Sequence, residues 1–272
     1  GPDLAGVSPA RIAAEAAALA LLAQRLPEEH RARVPAPIWH DEENNILWTE
    51  QIAPGAASLQ SLLEAGQCDP AAAGETGRLL GAVHAAGVGE VPPLWPTPEE
   101  DDANWHRFLR MRTTGFIERA GFSRVAELAA RTLYWEARER ERRGMLSHLD
   151  AAPKNVLVAS DGHTALLDFE LGAAVSDPAY DPGFLAGHYL LMGENHPPMR
   201  EAARAAALRL AAGYRSTAPD LDPEWEQRFW RYAGLTLVYR IHGSSPAPYL
   251  HPQRFEAIRE AGFRLLLAGQ LG

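Results

Sequence analysis

The sequence is nearly devoid of two residue types. Cys68 is the only cysteine in 272 residues, so no intrachain disulfide can form, and such usage suits a reducing cytoplasm. Lys154 is the only lysine among 26 Lys and Arg residues. Long apolar runs are also missing. The most Ala-rich stretch, Ile12 to Leu26, carries Glu15, Gln24 and Arg25 with Arg11 at its edge, which makes it an amphipathic helix and not a membrane span. No signal-peptide pattern precedes it. Basic charge is scarce: 26 Lys and Arg face 35 Asp and Glu, for a net charge of −9 and a pI near 5.6. That balance argues against nucleic-acid or anionic-membrane partners and suits a cationic or neutral polar substrate. There is no internal repeat and no low-complexity linker. With 46% hydrophobic residues, the chain has material for a core of one or two domains.

What is present is concentrated between Met145 and Glu170. Two short apolar runs, Val156 to Val158 and Ala165 to Leu167, flank Ser160-Asp161-Gly162, a hairpin signal. His148, Asp150 and Asn155 precede the first run, and Asp168 and Glu170 end the second. A hairpin brings its outer ends together, so Asp150, Asn155 and Asp168 are expected at one point. One carboxylate there can orient or deprotonate a hydroxyl, while an amide oxygen and a second carboxylate can hold a hard divalent cation. The spacing H-x-D-x-x-x-x-N followed by Asp-Phe is that of a kinase catalytic loop. Polar residues at the ends of an ordinary hairpin, with Pro153 in a plain loop, are the simpler alternative. Four elements at the right offsets, with strand, turn and strand between them, favour a site.

These residues resemble the aminoglycoside phosphotransferase family of kinase-like folds, which includes choline, methylthioribose and homoserine kinases. The run Asp150-Ala-Ala-Pro-Lys-Asn155, Asp168-Phe-Glu170, the stretch Ser176 to Asp181 and the stretch Tyr239 to Pro246 are similar to a bacterial branch of unassigned substrate. Leu149 departs from the Arg of protein kinases and the Gly of small-molecule kinases at that position. The resemblance implies an α+β, protein-kinase-like two-lobe fold: a remnant small lobe over residues 1–52 and a helical catalytic lobe over 53–272. It implies Mg²⁺ and ATP or GTP as phosphoryl donor. By this likeness Asp150 and His148 form the catalytic loop, with His148 holding the loop, and Asn155, Asp168 and Glu170 are the metal group. Glu50 and Ile52 would bond the adenine edge through the backbone, and Glu15 would sit on the helix whose glutamate pairs with a phosphate-binding lysine. Asp181 would brace the loop.

Along the chain, Ser8-Pro9 opens a helix reaching Leu26, followed by strands near Ile38 to His40 and Ile46 to Glu50. Helices are expected over Ser58 to Leu63 and Ala71 to His84, then a Pro- and Gly-rich loop to Glu100. Further helices are expected over Asn104 to Arg119 and Ser123 to Arg143, with Glu136 to Arg143 as a solvated charged face. Asp177 and Asp181 frame a turn before a helix over Phe184 to Met192. Three helices close the chain, over Glu201 to Tyr214, Glu224 to Ile241 and Pro252 to Leu267. Trp105, Phe108 and Arg112 fall where relatives build the acceptor pocket. Asp101, Asp102, Asp177 and Glu170 are expected to line it and to favour a cationic amino-alcohol or sugar. His84 and His188 are expected to be packing or supporting residues.

The helix bearing Glu15 starts about eight residues from the first residue, leaving no room for the Gly-rich turn and lysine strand that cradle ATP phosphates in this family. Half of the small lobe is therefore expected to be absent, with feeble turnover as the consequence. The leading function is an ATP-dependent kinase of a small hydroxyl compound, with a nucleotide and that compound as partners. A catalytically impaired pseudo-kinase with a binding or regulatory role is the alternative. A zinc hydrolase using His148 and Asp150 is a distant third, since no further His has suitable spacing.

Overall fold

The computed structural model describes residues 10–89, 91–218 and 220–272; the expected cap at Ser8 and Pro9 lies outside them. Helix α1 (Ala10–Arg25) buries Ala14, Ala18, Leu19, Leu21 and Leu22 along one stripe and stops before Pro27. A single turn, α2 (Glu28–Arg31), leads to the antiparallel hairpin of β1 (Pro37–Asp41) and β2 (Ile46–Thr49). Asn45 closes that hairpin at φ 54°, a left-handed conformation that Asn tolerates better than most residues. Strand β3 (Ala57–Ser58) then enters the second lobe. Ser58 caps α3 (Leu59–Glu64) by accepting from Ser61 N at 3.1 Å, and Asp69 caps α4 (Pro70–Ala86).

Helix α5 (Pro98–Thr113) begins six residues earlier than Asn104, where it was expected. Its start is a capping box: Thr97 Oγ1 accepts from Glu100 N at 3.2 Å, and Glu100 returns the bond to Thr97 N at 3.1 Å. It breaks at Thr114-Gly115, and the remainder of the expected helix is the short α6 (Ile117–Ala120). Helix α7 (Arg124–Glu139) likewise ends early. Arg142 and Arg143, read as part of a solvated helical face, instead open β4 (Arg142–Ser147). The catalytic hairpin is β5 (Val156–Val158) and β6 (Thr164–Leu166), turning at Gly162 with φ +83°. After β7 (Ala173–Ser176) comes α8 (Tyr180–Asn195), so Asp181 sits in a helical first turn and not in the turn before the helix. Helices α9 (Arg200–Thr217), α10 (Trp225–His242) and α11 (Phe255–Ala268) complete the chain.

Among the described residues the strands form three small sheets, β1-β2, β3-β5-β6 and β4-β7, and helices make up the bulk of the second lobe. The helical core depends on close approach at glycine. A Cβ on Gly77 of α4 would lie 2.2 Å from Leu210 O, and one on Gly213 of α9 would lie 2.1 Å from Gly74 O. Helices α4 and α9 therefore pack backbone to backbone, a platform under the β3-β5-β6 sheet. Arg33 ties the approach to the small lobe to that sheet: buried, it donates to Thr164 O at 2.7 Å and to Thr164 Oγ1 at 2.9 Å. The structure is thus α+β with a mainly helical second lobe, as expected.

Candidate active site

The loop from Ser147 to Asn155 is held from below by one carboxylate. Asp181 Oδ2 accepts from His148 N at 2.8 Å, from Ser147 Oγ at 2.7 Å and from His84 Nε2 at 3.2 Å. Burial alone would raise its carboxyl, but bonds from His84 and Ser147 hold it below the usual carboxylate range. His84 is itself backed by Tyr214, whose hydroxyl lies 2.7 Å from Nδ1. His148 spends both ring nitrogens on the loop: Nε2 donates to Leu167 O at 2.9 Å, and Nδ1 accepts from Asp150 N at 3.3 Å. This ring orients the backbone on either side of the hairpin. Both nitrogens are engaged by backbone groups, the loop-holding role expected of His148, and neither is free to ligate zinc in this arrangement. Among the described residues, no cluster of three or more His, Cys, Asp and Glu could hold a metal ion.

Next in the loop, Leu149 adopts φ 58° with its side chain fully buried. This costs strain of a kind concentrated at functional sites, about 1–3 kcal/mol. The turn aims Leu149 O at Arg112, which donates to it from Nη1 at 2.5 Å. The same guanidinium donates from Nη2 to Asp150 Oδ1 at 2.7 Å and stacks over Phe184 at 3.8 Å. Arg112 comes from the last turn of α5, and its side chain is only 8% exposed. Expected to line an acceptor pocket, it instead fixes the loop and one oxygen of Asp150. The positive group beside this loop is thus supplied from another helix, while the residue after His148 is apolar.

Asp150, Asn155 and Asp168 do converge. Asn155 Nδ2 donates to Asp150 O at 2.9 Å and lies 3.3 Å from Asp150 Oδ2, which turns the amide oxygen to the opposite side. Leu167 N donates to Asn155 O at 2.9 Å, locking the two ends of the hairpin together. Asp168 follows at φ 68°, the second strained non-glycine residue of the site. Between the carboxylates stands Lys154: Nζ lies 3.1 Å from Asp150 Oδ2 and 3.6 Å from Asp168 Oδ2. Burial alone would raise the Asp150 carboxyl, but Arg112 and Lys154 hold it well below the usual range.

The remaining expected residues are placed differently. Glu170 pairs with Arg11 of α1 at 3.2 Å. Glu15 accepts from Phe169 N at 3.2 Å, so the helix glutamate meets the backbone after Asp168 instead of a lysine; burial and the charge of Asp168 raise its carboxyl. Glu50 is exposed with its N–H donated to Ala36 O at 2.9 Å, and Ile52 is half-buried where the chain crosses between lobes. Trp105 is fully buried, donates to Glu141 at 2.9 Å and meets Tyr180 edge-on, so it is core and not a pocket wall. Asp177 is buried too. It receives Arg228 Nε and Nη2 at 2.9 and 3.0 Å and Tyr232 Oη at 3.0 Å, an internal ion pair with no face for substrate. Asp101 accepts from Ala174 N and Leu94 N, and Asp102 grips Arg143. All four acids expected to attract a cationic substrate are therefore spent on the protein itself. Sequence reasoning missed the Arg112–Asp150 pair and the lysine bridge. Lys154 was visible as the one lysine and as a residue of the loop itself, four positions after Asp150.

The model of the phosphotransferase enzyme family matches residues 3–261. The chain belongs to the phosphotransferase enzyme family. No curated protein sequence matches it. Among solved structures, this family member is similar to the choline kinase LicA of Streptococcus pneumoniae, with 14% identity, 94% of this chain and 80% of that one covered, and a TM-score of 0.51. An aminoglycoside phosphotransferase of Alicyclobacillus acidocaldarius matches at 16% identity, over 97% and 83% of the two chains, with a TM-score of 0.52. At such identities the likeness carries the kinase-like fold alone.

Proposed function

We propose that this phosphotransferase moves the γ-phosphoryl group of ATP or GTP to a hydroxyl of a small molecule. The observation that carries the reading is the meeting of Asp150, Asn155 and Asp168 at the mouth of one hairpin, on a loop whose backbone is fixed by Asp181, His148 and Arg112. Asp168 and the oxygen of Asn155 would hold Mg²⁺. Both are the hard oxygen donors that ion takes, and the lysine ammonium beside Asp168 marks a place that favours a cation. When bound, that ion supplies charge neutralisation on the donor phosphates. Glu170 is kept from the metal group by Arg11 unless that pair opens.

Asp150 then acts on the acceptor. Arg112 retains Oδ1, leaving Oδ2 for the acceptor hydroxyl once the ammonium withdraws. The acceptor oxygen bonds to phosphorus, the bond from phosphorus to the bridging oxygen breaks, and its electron pair leaves with the diphosphate. The hydroxyl proton passes to Oδ2 and onward to water. A carboxylate held so acidic is a weak base, so its main contribution is aiming the hydroxyl, with proton transfer late in the step. Glu50 O and Ile52 N–H are the backbone groups suited to the adenine edge. The acceptor is polar and hydroxyl-bearing, of the amino-alcohol, sugar or aminoglycoside kind.

The test is release of nucleoside diphosphate from ATP and from GTP across a panel of such alcohols, in wild type and Asp150→Asn. Acceptor-dependent release lost in the variant supports the proposal, and its absence throughout with retained nucleotide binding supports a second reading. That reading is a nucleotide-binding regulator with impaired turnover. Glu15 favours it, because its carboxylate bonds Phe169 N where an active clamp would offer it a lysine.

A further inference from the structure

Two cations face Asp150, and they differ in kind. Arg112 is buried, bonded in three directions and stacked on Phe184, so it cannot leave without stranding a carboxylate. Lys154 has a side chain 56% exposed and reaches two carboxylates, the largely buried Asp150 at 3.1 Å and the more open Asp168 at 3.6 Å. The Asp168 contact is open to water and weak, and the exposed ammonium can leave Asp150 without stranding a charge, because Arg112 still pairs with that carboxylate. An ammonium on a four-carbon stem is a compact point charge that can pivot, whereas a guanidinium is a planar fork. The two oxygens that Lys154 covers are those that the proposed chemistry needs free: Oδ2 of Asp150 for the acceptor, and the Asp168 carboxylate for the metal.

We infer that Lys154 is a phosphate-contacting residue of this site, parked on Asp150 and Asp168 in the nucleotide-free protein and transferred to the donor phosphates on binding. The inference rests on the phosphotransferase reading above. Three observations support it. The ammonium already lies at the junction of the base and metal groups, within the reach of its stem from any phosphate placed against Asp168. Its release vacates both carboxylates at once, which couples donor binding to readiness of the acceptor side. Of the other charged groups nearby on the described residues, Arg112 is committed to Asp150, and Arg11 of α1 is held by Glu170 at 3.2 Å. Glu15 carries the wrong sign for a phosphate.

The uniqueness of Lys154 makes the test clean. Amine-directed acetylation of the wild-type chain by N-hydroxysuccinimide acetate, followed by peptide mapping, reports on one side chain, because the α-amine falls on a different peptide. The reagent's acyl carbon forms an amide with Nζ, and N-hydroxysuccinimide leaves. Mg²⁺–ATP is expected to protect Lys154 from acetylation, whereas adenosine is not. Calorimetry provides the second measurement. Lys154→Met is expected to weaken Mg²⁺–ATP about tenfold, the loss of one charge-assisted hydrogen bond. The same variant should bind Mn²⁺ alone more tightly than wild type, because a competing cation has gone from the two carboxylates, and Lys154→Arg should recover part of the nucleotide affinity. A merely structural lysine would not move metal and nucleotide affinity in opposite directions. Binding of Mg²⁺–ATP by wild type with no protection of Lys154, or with equal affinity in Lys154→Met, overturns this inference and leaves the phosphotransferase reading standing. Failure of wild type to bind any nucleotide overturns both.

Discussion

Replacing Arg112 by Met would leave Asp150 largely buried without its inner partner. In the folded chain the carboxylate side chain is 13% exposed, with Arg112 at 2.7 Å on one oxygen and Lys154 at 3.1 Å on the other. Removing one member of a buried pair typically costs about 3–5 kcal/mol, because the survivor stays desolvated. Lys154 remains to offset part of the charge, so the expected loss is about 3 kcal/mol, the lower end of that range. For a chain of this size each kcal/mol moves Tm by roughly 2–4 °C, which predicts a fall of about 6–12 °C. Urea unfolding of wild type, Arg112→Met, Asp150→Asn and the double variant gives the coupling directly. The double variant should lose much less than the two singles together, since neither charge is then stranded. A double-variant loss equal to the sum of the two singles within about 0.5 kcal/mol would mean that Arg112 and Asp150 are not coupled. A second readout follows from the same bond. Without Arg112, burial governs Asp150 and its carboxyl titrates higher, so the acid limb of the pH–rate profile should move to higher pH.

Other consequences are open to measurement. Asp168→Ala should make nucleotide binding indifferent to Mg²⁺, and calorimetry in which Mg²⁺ still tightens ATP on the variant would remove Asp168 from the metal group. Asp101 is raised from 3.8 to about 6 by burial, so its protonated form favours the folded state. That stabilisation is full below pH 4 and lost as pH rises through 6, and Asp101→Asn should flatten the slope of Tm over this window. Arg228→Met strands the fully buried Asp177 and should cost about 3–5 kcal/mol in chemical denaturation. An Asp177→Asn, Arg228→Met pair should be the milder change.

Much of the site was legible because it is local. His148 to Asp168 spans a single loop and hairpin, so offsets alone bring Asp150, Asn155 and Asp168 together, and turn chemistry at Gly162 announces the fold-back. What escaped lies across the chain. Arg112 and Asp150 are 38 positions apart, and nothing in the composition of α5 distinguishes a pocket-lining arginine from one aimed at the loop. Asp177 looked accessible since acids usually are, but its partner Arg228 is 51 positions away on α10. The start of α5 at Pro98 was different: the Thr97–Glu100 capping box is a local signal, but the stretch to Glu100 is also rich in Pro and Gly and reads as a loop. Among the described residues, strands β4 and β7 pair with each other alone, and both carry weak alternation, so periodicity left no mark of them.

The bond from Tyr214 through His84 to Asp181 has a mechanical meaning. It runs from the α4–α9 platform, where glycines bring the helices into backbone contact, straight to the amide of His148. The catalytic loop is thereby tied to closely packed helices. The opposite wall is hung differently: α1 reaches the end of the hairpin through Glu15, which accepts from Phe169 N, and through Arg11, which pairs with Glu170, both partly open to water. A reaction that must admit a nucleotide, exclude water and release a product needs one surface to move. The floor is packed helix to helix, whereas the contacts of α1 with Phe169 N and Glu170 are polar and partly exposed, so movement that admits a nucleotide is expected there first.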